Sequence, residues 1–169
     1  VVYEAVIKTL KDVGANPGRG GYKKALEASR IVFQCREVLA DFFNIKKSDQ
    51  IAFTSNATEA LNIGIKGVLS PNSEVITTQL EHNSVLRPLH HLKKTQGIKV
   101  KYIKCDKDGS FSLENVKKVV SSKTKLLVMT HASNVIGTIT PVAEIFKFCK
   151  EHNIITMLDA AQTAGLIPI

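Results

Sequence analysis

The chain has 169 residues and a formal charge of +8, with 44% apolar and 22% charged residues. Such proportions fit a globular chain with a sizeable core, expected here as one domain. No apolar run approaches the ~20 residues that span a bilayer and no signal-peptide pattern opens the chain, so neither a membrane span nor export is expected.

The basic excess raises nucleic-acid binding as a role. The lysine pairs at 23–24, 46–47, 93–94 and 117–118, however, fall in separate segments. There is no interleaving of aromatic and basic residues and no helix-turn-helix pattern, so solvated helix faces account for them. Cys35, Cys105 and Cys149 are odd in number and widely spaced. They suit neither a disulfide framework nor a zinc knuckle, and read as reduced, structural thiols of a cytoplasmic protein. Cys35 is expected among core residues in mid-helix, Cys105 at a strand end and Cys149 within a helix.

In chain order, Val2, Val6, Leu10 and Val13 recur at helical spacing, and Gly14 supplies a stop. Asn16 to Gly21 is a loop. A longer helix runs from about Tyr22 to Phe43, with Leu26, Val32, Phe33, Leu39 and Phe43 on or near one face. Gln50 to Thr54 reads as a short strand, after which Ser55 or Asn56 caps a helix to about Leu69. Strands and helices then alternate. Strands are expected at Glu74–Thr78, Ile98–Ile103, Lys125–Thr130 and Ile154–Asp159. Between them come helices at Ser84 to about Thr95, Ser112 to Val120, and Thr140 to about Asn153. In the last, Thr140 serves as cap and Pro141 sits in the first turn. Strands separated by helices in this way make an α/β fold, a doubly wound and mainly parallel sheet with helices on both faces.

Four strand ends in this reading lead into polar residues beyond a connector's needs. Thr54 to Ala60 puts hydroxyls and free N–H groups at a helix start, a ready phosphate site. No Walker pattern or GxGxxG accompanies it. Glu81-His82-Asn83-Ser84 follows the second strand, where an imidazole can cap a helix, stack on a ring or move protons. Ser133-Asn134-Val135-Ile136-Gly137 follows a later strand. Asp159 closes the last one, with Gln162 three residues on. A carboxylate at that edge can bind a ligand's positive charge, hold a metal or ribose, or cap a helix. No HExxH, CxxC or facing carboxylate pair points to metal chemistry or glycoside hydrolysis.

Ala57-Thr58-Glu59-Ala60, Glu81-His82-Asn83-Ser84, Ser133 to Gly137 and Leu158-Asp159-Ala160-Ala161-Gln162 stand in the order and approximate spacing of the class V aminotransferase family, which the chain resembles from about Val2 onward. Within that family the resemblance is to cysteine desulfurases and selenocysteine lyases, pyridoxal 5′-phosphate enzymes of the aspartate-aminotransferase fold. It implies that Ala57 and Thr58 hold the cofactor phosphate. His82 would stack on the pyridine ring and assist proton transfer, which makes it the candidate catalytic residue. Asn134 would sit near the phenolic oxygen or substrate carboxylate. Gln162 would bond the phenolic oxygen, and Asp159 would pair with the ring nitrogen. The implied substrate is an amino acid such as L-cysteine, the implied acceptor of sulfur a protein, and the implied assembly a homodimer. Selenocysteine lysis, kynurenine cleavage, epimerisation and transamination are the alternatives within the family; a non-catalytic α/β binding domain is the alternative outside it. Asn16 to Gly21 resembles the family's glycine-rich loop, although Tyr22 stands where His is more frequent. The family's Schiff-base lysine lies beyond the Asp-x-x-Gln motif, and no lysine follows Lys150. The chain is therefore expected to be part of the large domain, inactive alone, with the lysine, the nucleophilic cysteine and a small C-terminal domain lying past Ile169.

Overall fold

β1 (Glu74–Thr78), β2 (Lys99–Ile103), β3 (Thr124–Thr130) and β4 (Ile155–Asp159) form one parallel sheet in the order β2-β1-β3-β4. This is a computed structural model, describing residues 1–168. The backbone gathers into two units, Val1–Phe53 and one beginning at Thr54, which holds the sheet.

Alternation along the strands decides where the helices lie. Val75, Leu126 and Val128 point to one face and pack with Leu61 and Ile65 of α3 (Ala57–Val68) and Val85, Leu89 and Leu92 of α4 (Asn83–Gln96). Ile76, Leu127 and Met129 point to the other face. There they meet Val116 of α5 (Leu113–Lys117) and Ile145 and Cys149 of α6 (Val142–Glu151). The sheet thus carries helices on both faces. β1 and β3 are neighbours, yet the helices that follow them, α4 and α6, lie on opposite faces. This divergence opens a crevice beyond the carboxyl ends of the strands, where ligands of such folds bind.

Several boundaries differ from the sequence reading. Gln50–Thr54 is not a strand: a 3₁₀ turn at Ser48–Gln50 leads into extended backbone at Ile51, which has no ladder partner among the described residues. Extended backbone becomes a strand only where a neighbour supplies hydrogen bonds. α5 stops at Lys117 because Val119-Val120-Ser121-Ser122 favours helix weakly. Thr140 does not cap α6; its hydroxyl donates to the carbonyls of Thr130 (2.7 Å) and His131 (3.2 Å), and Pro141 takes the cap position. The helix ends before Asn153, which adopts φ 55°.

In the first unit, α1 (Val2–Lys8) continues through a π-helical turn at Thr9–Val13 and stops at Gly14, in the left-handed region. Val2, Val6 and Leu10 are exposed and only Val13 of that stripe is buried. α2 (Lys23–Phe42) buries Ala25, Ala28 and Ala40, while Leu26, Phe33 and Phe43 of the expected face stay exposed. Cys35 is exposed too, not among core residues; Cys105 is half-buried and Cys149 buried. Among the described residues no helix is long and apolar enough to cross a membrane.

Candidate active site

α3 begins at a cap built from its own sequence. The Asn56 side chain accepts the Glu59 N–H at 2.9 Å, and the Glu59 carboxylate accepts the Ser55 N–H at 2.7 Å. Helix geometry leaves the N–H groups of Ala57 and Thr58 without an acceptor inside the helix. Such groups can receive an anion, with the favourable end of the helix dipole behind them.

α4 starts beside it. The His82 imidazole caps this helix, its Nδ1 accepting the Ser84 N–H at 3.2 Å. A nitrogen that accepts there carries no proton, so the Ser84 hydroxyl donates to the same Nδ1 at 2.8 Å. The Thr58 hydroxyl in turn donates to Ser84 Oγ at 2.7 Å. One chain of hydroxyls therefore ties the α3 start to the imidazole and leaves the ring proton on Nε2.

The other wall comes from β3 and β4. Asp159 ends β4, buried at 9% exposure, with Oδ1 accepting the Ala161 N–H at 3.1 Å. Its backbone carbonyl accepts the His131 N–H, which joins the two strand ends. Gln162 lies in the turn that follows. Thr163 anchors that turn through a hydrogen bond between its hydroxyl and buried His131 Nδ1 at 2.9 Å. After β3, Ser133 Oγ accepts the N–H groups of Val135 and Ile136 and folds the loop back with Asn134 exposed on it.

Ala57, Thr58, His82, Asn134, Asp159 and Gln162 line one cavity of about 260 Å³. His82 and Asn134 also line an adjoining groove of about 450 Å³. Four loops build the cavity, but only three of them follow strands. The loop carrying Ala57 and Thr58 follows unpaired extended backbone. Ser84, Thr130 and Ala132 line the cavity as well and were given no site role from the sequence. Ser84 carried a signal of its own, a hydroxyl two residues after a cap histidine. Glu81, next to His82, lies behind the cavity. Burial pushes its carboxyl up to about 7, assisted by the charge of Asp159 and opposed by hydrogen bonds from Thr78 and Thr130. A larger cavity of about 760 Å³ is lined by Leu86, Arg87, His91 and Tyr102, among others, but carries no carboxylate and none of the motif residues. Among the described residues no group of three or more His, Cys, Asp or Glu side chains is placed to hold a metal ion.

The sequence profile of the Aminotransferase class-V family matches residues 1–169. The chain belongs to that family. Class-V relatives include the cysteine desulfurase IscS of Dictyoglomus turgidum, 37% identical over 172 residues, an alignment that covers 99% of this chain and 43% of the relative. The apo structure of a cysteine desulfurase from Thermococcus onnurineus NA1 superposes with a TM-score of 0.89 at 32% identity, covering 97% of this chain and 41% of that one. SspA in complex with cysteine gives 0.89 at 31% identity, covering 96% and 47%. The class-V chain described here thus spans less than half the length of these relatives.

Proposed function

We propose that the protein is a pyridoxal 5′-phosphate enzyme that removes sulfur from L-cysteine, leaving alanine and an enzyme persulfide. The observation that carries this reading is one cavity with an anion-binding helix start at one wall and a buried carboxylate at the other. A ligand matched to both walls bears a phosphate and a protonated ring nitrogen. Bound there, pyridoxal phosphate supplies an electron sink for a carbanion at the substrate α-carbon.

The side chains present suit that group. The N–H groups of Ala57 and Thr58 receive the phosphate, and the Thr58 hydroxyl joins them by rotating away from Ser84. Asp159 holds the proton on the ring nitrogen. A carboxylate is required for this, because an amide has no charge to set against a pyridinium. Gln162 donates to the phenolic oxygen from the turn fixed by Thr163. His82 stacks on the ring, its Nε2–H free for proton transfer because Nδ1 is engaged by Ser84. Asn134 stands where the cavity opens to the adjoining groove and meets the phenolic oxygen or the substrate carboxylate.

In this reading residues 1–169 are part of the cofactor-binding domain, and the Schiff-base lysine and nucleophilic thiol come from the remainder of the full-length protein. Cys149 is no candidate for the thiol: burial raises it to about 11, against the low value that a nucleophile needs. The full-length protein would work as a homodimer and pass sulfur to an acceptor protein, as the family resemblance implies, in the cytoplasm, as the unpaired cysteines suggest. The test is to titrate full-length protein with pyridoxal phosphate by absorbance and to assay alanine and sulfide from L-cysteine. Cofactor uptake with turnover of a different amino acid would keep the cofactor and replace the substrate. Failure to take up the cofactor would overturn both.

A further inference from the structure

Behind the cavity lies a second carboxyl that the mechanism leaves without a task. Glu81, between β1 and α4, is 7% exposed. Its Oε1 accepts the Thr78 hydroxyl at 2.6 Å and the Thr130 N–H at 3.0 Å. Its Oε2 is buried and has no hydrogen-bond partner, and no cation pairs with it among the described residues. An ionised carboxylate buried with one bare oxygen is costly, whereas a protonated one is far less so. A purely structural acceptor for Thr78 and Thr130 needs no acid, since an amide oxygen accepts as well.

The neighbourhood gives the acid a purpose. Thr130, whose N–H is held by Glu81, lies directly opposite Asp159 in the β3–β4 register. Burial pushes the Glu81 carboxyl upward, and the charge of Asp159 adds to the push. The other titratable group facing it is Cys105, beyond the end of β2, itself raised by burial and by the charges of Asp106 and Glu81. Glu81 lines the groove of about 450 Å³ that adjoins the cavity, and so has its own route for a proton to solvent.

We propose that Glu81 is a positioning residue that holds a proton behind Asp159 and, on releasing it to solvent through the adjoining groove, places a second negative charge at the carboxylate wall of the cavity. With the proton present, Asp159 alone faces a ring nitrogen. With it gone, a cation at Asp159 is held more tightly. The consequence for the cofactor rests on the function proposed above; the proton-holding pair does not.

The experiment is an infrared pH titration of the full-length protein without pyridoxal phosphate, following the C=O stretch of protonated carboxyls. Wild type should lose one such carboxyl with a midpoint near 7. Glu81→Gln should abolish that step while keeping an oxygen for Thr78 and Thr130. Asp159→Asn should lower its midpoint by removing the adjacent charge. Absence of the step in wild type, or its survival in Glu81→Gln, overturns the proposal. If Glu81→Gln does not fold, an Asp159→Asn midpoint equal to wild type overturns it as well. In a second arm, pyridoxal phosphate affinity is compared on the two sides of that midpoint. Glu81 ionisation should strengthen wild-type binding relative to Glu81→Gln by about tenfold, the factor of one pKa unit of coupling. Equal ratios in both proteins overturn the effect on the ligand. A titrating Glu81 in a protein that takes up no pyridoxal phosphate supports the acid pair and overturns the cofactor reading alone.

Discussion

Ser84 accepts from Thr58, which stands 26 positions before it in the chain, and donates to His82. Removing the Thr58 hydroxyl therefore does two things: it deletes the donor that the proposed function assigns to the phosphate, and it frees Ser84 to rotate. In the full-length protein Thr58→Ala should weaken pyridoxal phosphate binding by ~1 kcal/mol, the net worth of one hydrogen bond, with a smaller change in kcat. Asp159→Asn should do the reverse, lowering kcat more than cofactor retention, because the amide keeps a polar contact but cannot balance a pyridinium. Cofactor titrations and turnover on both variants decide; equal losses in both quantities would undo this division of roles. Thr58 and Asp159 could be read from the sequence as candidates, since one is a hydroxyl left over at a helix start and the other a carboxylate closing an apolar run, and the fold brings both to one cavity. Ser84 and Glu81 stood in the motif around His82 but their roles were not legible, since their partners Thr58, Thr130 and Asp159 come from distant segments that only the folded sheet brings together.

At the scale of elements, what places the α3 start against the Asp159 end of β4 is the approach of the helix to that strand. Gly64, inside α3, costs the helix about 1 kcal/mol relative to alanine. A Cβ built at this position would lie 2.6 Å from Cε and 3.4 Å from Sδ of Met157 on β4, so the glycine permits a close packing that a side chain would disturb. Gly64→Ala sets better helix propensity against a clash with the flexible end of Met157, and should change stability little. Gly64→Val adds branches that cannot avoid the strand. It should cost about 2 kcal/mol and weaken cofactor binding by shifting Ala57 and Thr58. Met157→Ala in the Gly64→Val background should restore part of both, a coupling that thermal melts and cofactor titrations of the double mutant would measure. No recovery would mean that the helix is held off by something other than this contact. Sequence reading found the four sheet strands and their helices: β1 and β3 are buried along almost their whole length, and the edge strands β2 and β4 each carry short β-branched or apolar stretches between helical patterns. It failed at Gln50–Thr54, where the composition suits a strand but no neighbour among the described residues pairs with it. It also misjudged α2, where the helix was correctly found but its alanines, not its large apolar residues, are buried.

Across the whole sheet, two glutamates beside β1 are treated in opposite ways. Glu74 opens the strand at the edge away from the cavity, where Lys101 Nζ lies 2.8 Å from its Oε1 and the hydroxyls of Ser121 and Thr124 donate to the same oxygen. Burial alone would raise this carboxyl, but the bonds from Lys101, Ser121 and Thr124 together with the Lys101 charge outweigh it and hold the group at about 2. Glu81, past the other end, is held at about 7. The signs follow from proton counts. Between about 4.5 and 2 the unfolded chain binds more protons at Glu74 than the folded one, so its contribution to stability is present above about 4.5 and is lost as pH falls toward 2. Between 4.5 and about 7 the folded chain binds more at Glu81, so that contribution is full below 4.5 and lost as pH rises through 7. Each limb is worth at most about 3 kcal/mol. Denaturant unfolding of the full-length protein across this range should therefore show Glu74→Gln flattening the acid limb and Glu81→Gln flattening the neutral one. The two variants should also differ in sign near neutral pH: Glu74→Gln loses stability there, by about 2 kcal/mol, because Lys101 is left without its partner. Glu81→Gln should gain relative to wild type once Glu81 is ionised, because a neutral amide avoids burying an unpaired charge. A Glu81→Gln protein less stable than wild type well above pH 7 would show that the carboxylate form is the one this fold was built around, and that the acid at this end of the sheet is structural.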